Sequence, residues 1–423
     1  MGLQFPGVWV NFEAPLSSMK ILHTADWHLG KKLNGFSRHP EQVLVLNEIC
    51  QLADEHCVDL VLIAGDLFDG PNPSSESTEL FYKTLRRLSA DGKRAVVAIA
   101  GNHDSPDRIA APEPLALACG IVLLGYPDTV VPPFETENGI CLLQSQPGFL
   151  ELALPGIEFP VRLILTPFAN EVRLKKYLGS EDSSLEMRNL LAENWKQLAQ
   201  EKCDEKGVNL LMTHQYFIPS SGEIEPESDD ERSIAGLGGS DALPVAILPD
   251  GIQYVALGHI HKFWKVASKP CPVVYSSSPL CYSLNEAGQE KFVVMLEAKP
   301  GAEVDYQKIT LKEGRPVLRK TFDSVDDALV WLDQNPEALV ELTLVSDEFL
   351  KSEDSRRLHS AHEGILDIIP QLRNQSFSTG DQLAQAADPE LDKMTLFTSF
   401  FKHKKGQEPS EELKQLFHEI LHS

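Results

Sequence analysis

Residues 59–69 read DLVLIAGDLFD. The run LVLIA is apolar throughout, which predicts a strand covered on both faces. Gly65 then lets the backbone turn tightly, and Asp66 projects from the strand's carboxyl end, where ligands of α/β sheets sit. Moving outward, the same arrangement recurs in a fixed order. Asp26-Trp27-His28 follows the predicted strand Met19–Thr24, and Gly101-Asn102-His103-Asp104 follows Ala95–Ala100. Thr213-His214-Gln215 follows Val208–Met212, and Gly258-His259-Ile260-His261 follows Tyr254–Leu257.

Together these clusters offer the carboxylates of Asp26, Asp66, Asp69 and Asp104, the Asn102 amide and several imidazoles. That mixture suits divalent first-row metals such as Mn²⁺, Fe²⁺ or Zn²⁺ rather than Mg²⁺ alone. Two metals about 3.5–4 Å apart are a known device for hydrolysing phosphate esters. The i, i+2 spacings of Asp26 with His28 and of His259 with His261 put each pair on one face of an extended segment. The remaining histidines (His23, His39, His56, His359, His362, His403, His418 and His422) read as core or surface residues.

At 423 residues the chain is long enough for two or three domains with real cores. Its 42% apolar and 24% charged content is that of a globular protein. The net charge is -24, from 62 acidic and 38 basic residues. A protein gripping DNA by its own field alone would be basic. Either the substrate is small, or metals and a partner supply the positive charge. Lys31, Lys32, Arg38, Arg108, Lys262 and Lys265 lie beside the clusters, as solvated loop charge or as local phosphate contacts. Seven cysteines with no C-x-x-C pair read as reduced core residues of a cytoplasmic protein. No apolar run approaches the ~18 residues that would cross a membrane.

Further helices are expected at Glu41–His56, Thr78–Ser89 and Leu185–Lys202, and strands at Ile140–Gln144, Arg162–Thr166 and Val273–Ser276. Residues 1–18 read as a dispensable leader, and the acidic stretch Gly222–Ser233 as a mobile loop. The character changes near Glu286, so the domain bearing the clusters is placed at 19–285. A smaller α/β domain follows at 286–373, with strands at Lys291–Leu296, Tyr306–Leu311 and Leu339–Val345 and helices at Val325–Leu332 and Ser355–Glu363. A linker occupies 374–387. Two amphipathic helices fill 388–423, packed on their own domain or docking on a partner helix.

The ordered set D-x-H, G-D, G-N-H-D, H and G-H-x-H resembles the calcineurin-like metallophosphoesterase superfamily. That resemblance implies a four-layer αββα sandwich carrying a smaller capping domain. The segments ILHTADWHLGKKL, VLIAGDLFDGPNPS, AIAGNHDSPDRI and YVALGHIHKFW narrow it to a branch of nuclease subunits that act with an SbcC-type ATPase. The branch implies two Mn²⁺ ions. Asp26, His28, Asp66 and His261 would hold one, and Asp66, Asn102, His214 and His259 the other. His103 would meet the scissile phosphate, oriented by Asp104. Archaeal and eukaryotic relatives carry a second active-site His where this chain has Asp69.

The resemblance further implies 3′→5′ exonuclease action on duplex DNA, endonuclease action on single strands and hairpins, and a homodimer. The terminal helices would dock the ATPase. A small-nucleotide phosphodiesterase and a catalytically silent ATPase scaffold are the competing readings. The extra domain argues against the first, and the complete set of expected ligands against the second.

Overall fold

In the computed structural model, residues 18–174, 183–220, 242–347 and 350–373 are described, with scattered positions from 394 to 417. The expectations for residues 1–17, for the whole of Gly222–Ser233, for the linker 374–387 and for most of 388–423 lie outside them. Two compact units divide the chain at Arg315 and Pro316.

Two sheets build the first unit. One has six strands, ordered Asp305–Thr310, Phe292–Ala298, Met19–Thr24, Leu60–Ala64, Ala95–Ile99 and Ile121–Leu124. The last four run parallel, and the first two join antiparallel at the edge. The other has seven strands, ordered Trp264–Ala267, Val273–Tyr275, Tyr254–Leu257, Val208–Thr213, Val161–Thr166, Phe149–Ala153 and Cys141–Gln146.

The alternation of side chains explains the layering. Leu60, Leu62 and Ala64 enter one core together with Leu210, Met212 and Tyr254 of the opposite sheet. Val61 and Ile63, on the other face, pack with Val45, Ile49 and Ala53 of the helix His39–Glu55 and with Phe81 and Leu85 of Ser75–Leu88. Across the molecule Leu211 and Val255 meet Trp195 and Leu198 of the helix Ser183–Lys202. Helix, sheet, sheet, helix is therefore the order of layers, as the family resemblance implied. Because both faces of a central strand are buried, its apolar run is unbroken. Cutting Leu62 back to Ala in this packing would cost roughly 2–5 kcal/mol.

The domain boundary moves. Phe292–Ala298 pairs with Met19–Thr24, Ala298 opposite Met19, so this strand and Asp305–Thr310 belong to the first sheet and not to a separate domain starting at 286. An edge hairpin reads like a new element in sequence because its partner lies far back in the chain.

The second unit is a βαβαβ arrangement. Parallel strands Val317–Phe322, Leu339–Ser346 and Ile365–Leu372 alternate with helices Val325–Asp333 and Ser352–Ala361. Ser324 caps the first helix, its hydroxyl accepting from Asp327 N at 3.1 Å. Val340, Leu342, Leu344, Ala328, Leu332 and Leu358 form its core. Among the described positions of the terminal segment, the Phe397 ring stacks on Phe417 with centroids 4.0 Å apart.

Candidate metal centre

The five clusters converge at the carboxyl ends of adjacent strands, three from the first sheet and two from the second. Hydrogen bonds lock them together. Asp66 Oδ1 accepts from His103 N at 2.9 Å, and Asp26 Oδ1 accepts from His259 N at 2.8 Å, which ties the two sheets' loops to each other. Asp66 Oδ2 is left 3.6 Å from His28 Nε2 and 3.2 Å from His214 Nε2, between one histidine of each expected set. Asn102 Oδ1 lies 2.9 Å from His214 Nε2 and 3.1 Å from His259 Nδ1. His28 Nε2 and His261 Nε2 face each other at 3.0 Å. All seven expected metal ligands are thus within one cluster, Asn102 half-buried and the other six buried.

The chemistry of these donors calls for a cation. His214 Nδ1 donates to Ala64 O at 2.7 Å, and His261 Nδ1 donates to Glu286 Oε1 at 3.2 Å. In the neutral ring each Nε2 then carries a lone pair. For His214 that lone pair would face Asn102 Oδ1 and Asp66 Oδ2, and for His261 another imidazole, so without a metal each contact needs a further proton on one of the rings. Asp26 Oδ2 is buried without a hydrogen-bond partner. Burial opposes charge on His214, but the Asp66 and Asp26 carboxylates outweigh it and raise the imidazole to about 9. Burial raises Asp26 to about 6 despite His214 and His261 beside it. A divalent metal removes all of these conflicts at once, and the donor atoms of Asp26, His28 and His261, and of Asp26, Asp66 and His214, are each close enough together to share an ion.

Backbone geometry carries part of the cost. Asp26, His28, Asp66 and His259 have φ of 55°, 42°, 48° and 105°, a left-handed region that is costly for side-chain-bearing residues. Such strain is of order 1–3 kcal/mol each and marks positions the surroundings over-determine. Two motif glycines make close approach possible. A Cβ on Gly101 would sit 2.1 Å from Asp66 Oδ1, and one on Gly258 would sit 1.9 Å from Ala64 O.

Supporting residues include several that the sequence did not single out. Gln42 Nε2 donates to His28 O at 2.8 Å, while its Oε1 accepts from Gly30 N at 3.1 Å, fixing the loop that carries His28. Arg173 donates to the carbonyls of Gly101 at 2.6 Å and Asp104 at 2.8 Å, gripping the Gly-Asn-His-Asp turn from behind. Glu286 holds His261 and forms a buried ion pair with Lys291. Burial works against its charge, yet Lys291 and His261 hold its carboxyl well below the ordinary range. Nothing local in the sequence flags these residues, because each acts through the backbone or side chain of a distant one.

Asp104 departs from expectation. Its carboxylate accepts from Leu67 N at 3.0 Å, Phe68 N at 2.9 Å and Gly101 N at 2.8 Å, not from the His103 ring. It braces two turns against each other. His103 Nδ1 instead donates to Asp69 O at 3.0 Å. His23, read as a core residue, is buried against Tyr254 Oη and Leu257 O, and burial lowers it to about 3. Arg38 is buried and paired with Glu41 at 2.7 Å, so it is no loop charge.

Comparison with known proteins agrees with this geometry. A model of the calcineurin-like phosphoesterase family matches residues 19–263. The chain belongs to that family. Two relatives are each named as the D subunit of the nuclease SbcCD. That of Bacillus subtilis is 33% identical over 409 residues, 95% of this chain and 97% of its own. That of Rhodobacter capsulatus is 30% identical over 308 residues, 71% of each chain. The family's phosphoester chemistry fits a buried centre of carboxylate, amide and imidazole donors. No described helix is long and apolar enough to cross a membrane.

Proposed function

We propose that this chain is the nuclease subunit of an SbcCD-type complex, a Mn²⁺-dependent phosphodiesterase acting on DNA with an SbcC-type ATPase. The match to the Bacillus subtilis relative carries the reading, since it spans 95% of the chain and so extends far past the phosphoesterase match. Asp26, His28 and His261 would hold one ion and Asn102, His214 and His259 another, with Asp66 between them. Bound there, the ions would acidify a bridging water and neutralise phosphate charge.

The chain's own residues do the rest. His214 and His261 present fixed Nε2 lone pairs because Ala64 O and Glu286 hold their other nitrogens. With Nδ1 committed to Asp69 O, His103 turns its other ring nitrogen to the scissile phosphate, to stabilise developing charge or to carry a proton to the leaving oxygen. Asp104 and Arg173 keep the turn bearing His103 in place. The acidic balance of the chain fits a partner that supplies most of the DNA grip. Exonuclease action 3′→5′ on duplexes, endonuclease action on single strands and hairpins, a homodimer, a cytoplasmic setting and a role in DNA repair and recombination complete the reading. The capping role belongs to the second unit and ATPase docking to 388–423.

The test is purified protein with Mn²⁺ on hairpin DNA, linear duplex and bis-p-nitrophenyl phosphate, beside His103→Ala. DNA cleavage by wild type and not by the variant is expected. Hydrolysis of the small ester with DNA untouched, even after an SbcC-type ATPase and ATP are added, would refute the nuclease reading.

A further inference from the structure

Asp69 joins three groups at the rim of the metal centre. Its carbonyl holds His103 Nδ1 at 3.0 Å. Its carboxylate Oδ1 is 3.9 Å from His28 Nδ1 and 2.9 Å from Lys31 Nζ. The His28 and His103 rings lie edge to face with centroids 4.9 Å apart. One residue therefore links an expected metal ligand, the histidine proposed to meet phosphate, and a lysine. Lys31 itself is fixed at both ends, for its N–H donates to His28 O at 3.0 Å. Its side chain is 13% exposed, against 34% for Asp69, so the pair sits at the edge of the centre and not out in solvent.

We propose that Lys31 is a phosphate-contacting residue: held by Asp69, it grips the DNA phosphate next to the one being cleaved. This deepens the nuclease reading and rests on it. The chain carries a net charge of -24, so any DNA phosphate near the site meets a repulsive background unless a fixed cation stands there. A compact ammonium with three donors can stay on a carboxylate and also meet a phosphate oxygen. The pair with Asp69 orders the lysine before substrate arrives, which lowers the entropy lost on binding. The competing role is an ion pair that only stabilises the loop. Such pairs are worth about 0–1 kcal/mol near a surface, and removing one would leave the salt dependence of DNA binding unchanged.

The experiment uses the full chain with Mn²⁺ and compares wild type, Lys31→Met, Lys31→Arg and Lys32→Met on single-stranded DNA and on bis-p-nitrophenyl phosphate. Lys32 is the exposed neighbour and controls for bulk charge. Lys31→Met should lower kcat/KM on DNA about tenfold, chiefly through KM, with a much smaller fall on the ester, which has no second phosphate. The slope of log KM against log salt should fall by about 1, the signature of one lost phosphate contact. Lys31→Arg should restore most of the DNA activity, and Lys32→Met should match wild type. Equal losses on DNA and ester would overturn the proposal, as would a salt slope that does not move. Wild type failing on DNA under every condition would instead remove the nuclease reading and this contact with it.

Discussion

Replacing Glu286 by Met separates two roles that one carboxylate plays. Glu286 is 4% exposed and pairs with Lys291, itself 6% exposed, while accepting from His261 Nδ1 at 3.2 Å. Removing one partner of a buried pair strands the other's charge, which costs about 3–5 kcal/mol. For a unit of this size, at roughly 2–4 °C per kcal/mol, the melting temperature should fall by about 6–20 °C. The double variant Glu286→Met, Lys291→Met removes both charges, and apolar replacement of a whole pair is often close to neutral. Most of the lost stability should therefore return. Metal affinity should not, because His261 still lacks the carboxylate that fixes its tautomer, a loss worth typically about 10–100-fold.

Thermal melts in chelator and calorimetric Mn²⁺ titrations of the three proteins read the two effects independently. If the single and double variants melted together, the stranded charge would not be the cause of instability. If Mn²⁺ affinity were unchanged in both, Glu286 would not be orienting His261. The sign with pH is also fixed. A carboxyl held below its ordinary value of 4.5 contributes stability that is complete above that value and is lost as pH falls beneath it. In chelator, the gap between the double variant and wild type should thus be constant at neutral pH and shift only in acid.

Three further outcomes are expected. Gly101→Ala should lose Mn²⁺ affinity and activity by at least about tenfold, because its Cβ would meet Asp66 Oδ1 at 2.1 Å and Asp66 N at 2.2 Å; activity near wild type in an ester assay would refute this. In the native protein Cys57, which is exposed, should react with maleimide, while Cys50 and Cys271, buried and raised to about 12, should stay unmodified by mass spectrometry until denaturant is added. Deleting 388–423 should abolish co-purification with an SbcC-type ATPase and leave single-strand cleavage intact; a normal complex would remove the docking role.

What the sequence disclosed follows from which forces are local. The strand-end clusters were legible because a both-faces-buried strand announces itself as an apolar run, and Gly65 and Gly101 punctuate it. The short strand Ile121–Leu124, the edge strand Trp264–Ala267 and the exposed-faced Val317–Phe322 were missed, because four to six residues without a steady alternation carry little periodic signal. The misplaced domain boundary has a different origin: pairing of Phe292–Ala298 with Met19–Thr24 spans almost the whole unit and leaves no local trace. The residues proposed as metal ligands stand out in the sequence by motif order, whereas Gln42, Arg173, Tyr282 and Glu286 do not. Tyr282 donates its hydroxyl to Trp27 O, a contact of two residues far apart in sequence. Asp104 lies among the clusters, but its partners are three backbone amides, and backbone partners leave no signature in a motif.

Asp66, on this reading, stands between two metal sites fed by two sheets. An electron paramagnetic resonance titration of the metal-free protein with Mn²⁺, beside Asp66→Asn, tests that arrangement directly. Two ions per chain with a spin-coupled spectrum at saturation are expected, with loss of the coupling in the variant. One uncoupled ion per chain at saturation in the wild type would overturn the two-metal assignment.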